Sequence, residues 1–206
     1  MQLANRSGAL NEIEYSEFVQ KIQVFADAVG AVPDFPDMLD VVARARELDA
    51  FASDHDANLM VHLQAASVAW SVGYVRQCAE RHGFVPGNLP GRMVLPAPEE
   101  GAPPVLVLSF DAQAALSEEP QQAAVRRVTL SLDVGQSPES TEPFAAWQQA
   151  IRALAEEMDA QAVDDDDRPI TLSHYTTIAA ELNRLYLALA SRDMAAGSPA
   201  ARRLFQ

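Results

Sequence analysis

Two short acidic stretches contain the residue types from which an active site is built. Ser53-Asp54-His55-Asp56 combines a hydroxyl, an imidazole and two carboxylates, the groups used in nucleophilic or metal-assisted hydrolysis. Asp164-Asp165-Asp166-Asp167 offers carboxylate oxygens, which suit calcium or magnesium. Consecutive side chains seldom converge on one point, however, and neighbouring acids mainly repel one another. We predict a solvated helix end and a solvated turn, with a small-molecule or metal-dependent hydrolase as the less favoured alternative.

Other patterns typical of catalysis are missing from the sequence. The segment 87–91 (GNLPG) lacks the lysine and the following helix of a phosphate-binding loop, which indicates a turn. Cys78 is the only cysteine, which predicts a buried helix residue and a reducing compartment. His62 and His174 are single residues in amphipathic segments. We therefore predict a protein that is not an enzyme and that uses no metal or cofactor.

The charge balance argues against two classes of partner. The chain has 29 acidic and 15 basic residues, a net charge of −14, which repels nucleic-acid phosphates and anionic lipid surfaces. A charge-free run over residues 57–75 contains polar side chains such as His62 and Gln64, whereas a membrane span needs about 20 mostly apolar residues. We expect that this chain neither binds nucleic acid nor inserts directly into a membrane.

Two segments near the start have the periodicity of amphipathic helices. Asn11 with Glu14 predicts a capped start for the first helix, and Gly30 predicts its end. For the second helix we predict Asp34 as the cap and Pro36 in the first turn. The apolar stripes are Phe18, Ile22, Phe25, Ala26 and Val29 in the first helix and Met38, Val41, Val42, Ala45 and Leu48 in the second.

A second pair of amphipathic helices is predicted near the end of the chain. A helix over residues 144–158 is followed by another that starts at Thr171 or Ser173. The first helix of each pair aligns without gaps, so that Phe18 falls on Trp147, Phe25 on Leu154, and residues 1–3 on the predicted strand residues 130–132. We therefore predict a strand–helix–helix unit that occurs twice, with Met1 in the middle of a duplicated domain.

The sequence between the two pairs is rich in strand patterns. Alternation predicts strands over residues 59–64 and 128–134, and apolar runs predict strands over 92–95 and 105–108. A helix is predicted from Ser71 to His82. The order β–α–β–β–β–α–(β)–α predicts an α+β fold in which helices cover one face of a sheet and leave the other face open.

Several phrases between Asn58 and Leu187 occur in the order found in a known domain. They are Gly83-Phe84, 105–111 (VLVLSFD), 128–134 (VTLSLDV), 153–158 (ALAEEM), and 162–165 (AVDD) leading into 168–171 (RPIT), with a similar tail over 196–205. In that order they resemble the carboxy-terminal, FtsZ-binding domain of the ZipA cell-division family. The resemblance implies a split β-α-β antiparallel sheet, a partial unit over residues 1–55 and a ZipA-like domain over 56–206.

The resemblance also implies a shallow apolar groove on the open sheet face. Its ligand would be the carboxy-terminal tail of FtsZ, the tubulin-like division GTPase, and the chain would be a non-catalytic adaptor in septum (Z-ring) assembly. The family has a large aromatic where this chain has Ser131 and a larger apolar residue where it has Ala112. The groove positions carried over are Met60, His62, Leu89, Ala112, Thr129 and Ser131.

Three further hypotheses concern the partner and the location. A protein-interaction scaffold of the same fold with a different partner is the main alternative to FtsZ binding. Self-association is a second possibility, because a partial unit with an unpaired strand edge can join another copy. The location implied by the resemblance is cytoplasmic, at the face of the bacterial inner membrane, through an anchor absent from this chain.

Overall fold

The computed structural model describes residues 1–119 and 121–206 and divides into two compact units. Unit 1 contains residues 1–56 and 199–206, and unit 2 contains residues 57–198. The predicted division into 1–55 and 56–206 therefore needs correction at the end of the chain. The terminal helix Pro199–Leu204 packs beside a strand near the start, and the Gln2 side chain donates a 2.6 Å hydrogen bond to the Arg203 carbonyl.

Unit 1 is built from a short hairpin and helices. Strands β1 (Ala4–Asn5) and β2 (Gly8–Ala9) pair with each other, and helices α1 (Glu12–Val29) and α2 (Met38–His55) follow. The strand predicted over residues 1–3 is wrong: the paired residues come later. The Asn5 side chain accepts a 2.8 Å hydrogen bond from the Ser7 N–H, which closes the turn of the hairpin.

The ends of α1 confirm the sequence prediction. The Asn11 side chain accepts hydrogen bonds from the Ile13 and Glu14 N–H groups at 3.0 Å, and Glu14 accepts one from the Asn11 N–H. Gly30 ends the helix in the left-handed conformation, with φ of 69°. Such a reciprocal cap satisfies N–H groups that have no partner inside the helix.

The start of α2 differs from the prediction. Asp37, and not Asp34, caps the helix: its carboxylate accepts hydrogen bonds from the Leu39 and Asp40 N–H groups at 2.8 and 3.2 Å. Pro36 therefore precedes the helix instead of lying in its first turn. The predicted stripe is confirmed, because Val41, Val42 and Ala45 are buried and Met38 and Leu48 are partly buried.

Unit 2 has the predicted α+β fold. Within its described residues, six strands form one antiparallel sheet in the order β10-β3-β9-β7-β6-β5, and β4 pairs with β8 in a separate ribbon. A 3-10 turn, Glu139–Thr141, precedes the fifth helix. The elements are β3 (Asn58–Ala65), β4 (Trp70–Ser71), α3 (Val72–Arg81), β5 (Val85–Pro86), β6 (Arg92–Leu95), β7 (Leu106–Ser109), α4 (Ala112–Ala115), β8 (Ala124–Val125), β9 (Arg127–Asp133), α5 (Pro143–Glu157), β10 (Ala160–Val163) and α6 (Leu172–Ala190).

One face of the sheet forms the core with helices α3, α5 and α6. Alternate residues of the central strands are fully buried there, as the two-residue period of a strand requires. The indole N–H of Trp147 in α5 also donates a hydrogen bond to the Leu130 carbonyl at 3.3 Å. The core residues of the sheet are Val61, Leu63, Leu106, Leu108, Val128, Leu130 and Leu132, and those of the helices include Val75, Cys78, Trp147, Ile151, Leu154 and Leu182.

The predicted repeat is only partly reproduced. Helix α1 and helix α5 coincide under the gap-free alignment, and each is followed by a second helix. Strand β10 separates α5 from α6, whereas residues 31–37, which separate α1 from α2, contain no strand. The two pairs therefore share their helices and differ in the strands around them.

Candidate functional site

The second face of the sheet carries the candidate site. Strand register places two rows of side chains across it. One row joins Met60 to Ser131, Val107 and Val94, and the other joins His62 to Thr129, Ser109 and Arg92. We call this surface the open face; it consists of Met60, His62, Arg92, Val94, Val107, Ser109, Thr129 and Ser131.

Met60 is the most prominent apolar group among the predicted site residues on the open face. Its side chain is 49% exposed on β3, the strand next to the edge strand β10 of the six-stranded sheet. Its neighbour Ser131 is small, and the Ser131 hydroxyl donates to the Val107 carbonyl at 3.4 Å. Together with the partly buried Val107 and Val94, Met60 makes an apolar strip across the adjacent strands β3, β9, β7 and β6. A strip of this kind can receive an apolar segment of another chain.

His62 is held by hydrogen bonds on both ring nitrogens. Its Nδ1 lies 2.9 Å from the Thr129 hydroxyl, and its Nε2 lies 2.9 Å from an Asp165 carboxylate oxygen. Val163, opposite His62 in the register, is only 2% exposed although it lies on this side of the sheet. The turn that follows β10 thus covers one end of the open face, and the hydrogen bond between Asp165 and His62 holds it there.

Leu89 and Ala112 lie at another end of the sheet, outside the two rows. Leu89 is exposed in the loop that leads into β6, and Ala112 begins α4 directly after β7. The Phe110 N–H donates to the Gly91 carbonyl at 2.8 Å, which joins these two connections. A cavity of about 470 Å³ lies beside this loop, lined by Leu89, Gly91, Phe110, Arg76 and Glu80 among others.

The structure therefore brings four of the six predicted residues together. Met60, His62, Thr129 and Ser131 share the open face, and Leu89 and Ala112 lie next to the end of the Arg92 row. The prediction missed Val107 and Val94. Every residue from Val105 to Leu108 is apolar, so alternation could not show which side chains face outward. The observed register identifies them, since Val107 pairs with Ser131 and Val94 pairs with Val107.

The first acidic stretch is the end of α2. The His55 ring stacks on Phe51, and its Nδ1 lies 2.8 Å from the Phe51 carbonyl oxygen. Asp56 forms a two-point ion pair with Arg6, with distances of 2.6 and 2.8 Å. His55 and Asp56 are thus engaged with their local surroundings, as expected for a helix end.

The second acidic stretch is a turn in which the carboxylates have separate partners. Asp164 accepts hydrogen bonds from the Arg168 and Asp166 N–H groups at 2.8 and 2.9 Å, and the Arg168 bond is the main cause that lowers the pKa of Asp164. Asp165 binds His62, Asp166 pairs with Arg168 at 3.1 Å, and Asp167 pairs with Arg127. In the part of the chain that the structure describes, no group of three or more histidine, cysteine or acidic side chains is placed to hold a metal ion.

The single thiol lies in a cluster that connects α3 to the end of α5. Cys78 is buried, and burial raises the pKa of its thiol. The Tyr74 hydroxyl donates to the Glu157 carbonyl at 2.9 Å, while Arg81 and His82 lie 2.8 and 2.6 Å from the Glu157 carboxylate. A protonated thiol inside such a cluster is a poor nucleophile.

Comparison with known proteins does not assign this chain to a family. The sequence matches no protein-family model and no curated protein. Among the described helices, none has both the length and the apolar character required to cross a bilayer.

Proposed function

We propose that this chain is a non-catalytic cell-division adaptor that binds the carboxy-terminal tail of FtsZ on its open face. The observation that supports the proposal best is the apolar strip around Met60, on the side of the sheet opposite to the helices. Apolar side chains that adjoin one another on an exposed surface, unlike single exposed ones, often mark a site of protein interaction. The proposal agrees with the ZipA resemblance of the sequence.

The chemistry of the open face suits a short peptide. Met60, Val107 and Val94 offer apolar contact, and Arg92 provides a charged group at one side of the strip, beside the hydrogen-bonded pair His62 and Thr129. The strip spans few residues, so the interface falls in the weak, transient class, below about 1,200 Å² of total buried surface. Ser131 supplies no aromatic anchor, which further limits affinity.

In this proposal the chain acts in Z-ring assembly at the cytoplasmic face of the inner membrane. A net charge of −14 makes direct adsorption to anionic lipids unfavourable. Attachment to the membrane would therefore depend on protein contacts or on a separate anchor, and not on the surface of the two units.

A same-fold scaffold with a different partner is the second candidate. Ser131 and Ala112 favour it, because both are smaller than the residues that the family uses at these positions. A flatter strip selects a partner with larger side chains of its own. The two candidates share one surface and differ only in the ligand.

A fluorescence-anisotropy titration with a labelled FtsZ carboxy-terminal peptide tests the proposal. We expect saturable binding that Met60→Glu weakens at least about tenfold, since a buried carboxylate opposes apolar contact. Leu187→Glu is the matched control, because Leu187 is similarly exposed but lies on α6. No saturation at about 1 mM peptide would exclude FtsZ as the ligand, and equal effects of the two variants would exclude the open face.

A further inference from the structure

The last turns of α1 carry an apolar surface that unit 1 does not cover. Phe25 is 65% exposed and Val29 is 60% exposed, although both belong to the predicted stripe of the helix. Val24 and Ala28 lie beside them at helical spacing and are exposed as well. We call these four residues, Val24, Phe25, Ala28 and Val29, the α1 band. Val32, just beyond Gly30, is almost fully exposed and extends it.

The matching helix in unit 2 shows what such a pattern normally does in this chain. Phe25 corresponds to Leu154, which is 0% exposed, and Val29 corresponds to Met158, which is 2% exposed. Leu154 and Met158 belong to the core that α5 forms with the sheet. Among the described residues of unit 1, the strands are the two-residue β1 and β2, which lie against α2. The α1 band therefore has no sheet to pack on within its own unit.

We propose that a second copy of this chain covers the α1 band, with the two α1 helices antiparallel about a two-fold axis. In a two-fold contact the same patch of each copy forms the interface. Because this patch carries no charge, the contact buries no unpaired charge. The α1 band contains only apolar side chains. With Val32, it offers about 500 Å² per copy, which brings a dimer to about 1,000 Å² and to the lower limit of specific interfaces.

Lys21 adds an electrostatic reason for the antiparallel arrangement. It is the only lysine of the chain, and it lies one turn before Val24 and Phe25 on the same side of α1. The last turn of α1 has no basic residue to complement the negative end of the helix dipole. In an antiparallel pair the Lys21 ammonium reaches the carboxyl-terminal end of the second α1. The contact is thus complementary in charge as well as apolar.

The net charge gives the proposed dimer a distinctive salt dependence. Each copy carries −14, so two copies repel one another over long distances at low ionic strength. Added salt screens this repulsion and leaves apolar contact intact. We therefore expect dimerisation to strengthen as salt rises from about 20 to 500 mM, a range over which the Debye length falls below about 10 Å.

Sedimentation velocity of the full chain from about 1 to 500 µM, a range that spans weak association, tests the proposal. We expect a concentration-dependent dimer whose dissociation constant rises at least about tenfold in Phe25→Glu. Lys21→Glu should weaken the dimer less, and Leu187→Glu, on α6, should leave it unchanged. A strictly monomeric mass at every concentration and salt level would overturn the proposal, as would equal losses in Phe25→Glu and Leu187→Glu.

Cross-linking through a cysteine at an exposed position of the α1 band tests the geometry of the dimer. Cys78 is buried, so Ala28→Cys introduces the only accessible thiol. We expect a disulfide-linked dimer to form under mild oxidation at concentrations where Leu187→Cys remains mainly monomeric. Equal rates for the two variants would contradict an α1 contact. Met60→Glu should dimerise normally and Phe25→Glu should bind peptide normally, so this proposal and the proposed function fail separately.

Discussion

Helices α1 and α5 have the same apolar period and opposite surroundings. In α5 the stripe is buried against a sheet, and Trp147, Ile151 and Leu154 are core residues of unit 2. In α1 the first half of the stripe is partly covered, while Phe25 and Val29 near its end are exposed. The comparison teaches that a helical pattern specifies which face of a helix is apolar and leaves open what covers that face.

The largest expected effect is on stability at the two aligned positions. Leu154→Ala should cost about 2–5 kcal/mol of unfolding free energy, because it removes a fully buried side chain and leaves a cavity. Phe25→Ala should change it by less than about 0.5 kcal/mol, because most of that ring is already in water. Urea unfolding followed by far-UV circular dichroism at low protein concentration measures both. Comparable losses at the two positions would show that α1 is as well packed as α5.

The next effect concerns the second exposed apolar surface, the open face of unit 2. Ser131→Phe introduces an aromatic side chain beside Met60 and Val107. An added aromatic anchor should tighten FtsZ-peptide binding about tenfold, equivalent to about 1.4 kcal/mol. Anisotropy titration of this variant beside Thr176→Phe, an exposed α6 position, provides the measurement. Unchanged affinity in Ser131→Phe would favour the scaffold with a different partner.

The smallest effect is the response of unit 2 to alkaline pH. Burial raises the pKa of the Cys78 thiol above its usual 9.0, and burial likewise raises the pKa values of Tyr175 and Tyr186 above 10.0. The folded state therefore holds these protons more tightly than the unfolded state does. Stability should be level from pH 7 to about 8.5 and fall as pH rises through and above about 9 to 10.

Urea unfolding at a series of pH values checks this response. Both tryptophans, Trp70 and Trp147, lie in unit 2, so their fluorescence reports on that unit. Cys78→Ala should reduce the loss above pH 9, since it removes one of the groups that must ionise. Stability that increased with pH over this range would contradict the assigned direction of the pKa shifts.

Local chemistry explains which parts of the fold were predictable from the sequence. Asn11, Glu14 and Gly30 fix the ends of α1 through bonds within a few residues, so they could be read directly. Two aspartates flank Pro36, and only the N–H geometry selects Asp37 instead of the predicted Asp34 as the cap of α2. Strand β9 was clear because apolar and polar residues alternate along it.

Contacts between distant segments explain which features could not be predicted from the sequence. Asp165 reaches His62 across 103 residues, and no short pattern encodes such a pair. The outward positions of Val107 and Val94 follow from strand register, because Val94 lies opposite Val107 and Val107 lies opposite Ser131. The exposure of Phe25 depends on which elements surround α1, and the stripe alone predicts burial.

The most direct test of the central claim is a two-dimensional NMR titration of the labelled chain with the FtsZ carboxy-terminal peptide. The open face predicts chemical-shift changes in β3, β9, β7 and β6, centred on Met60, Thr129, Ser131 and Val107, with little change along α6. Shift changes confined to the α6 side, or their absence at saturating peptide, would contradict the proposal that the open face is the binding surface.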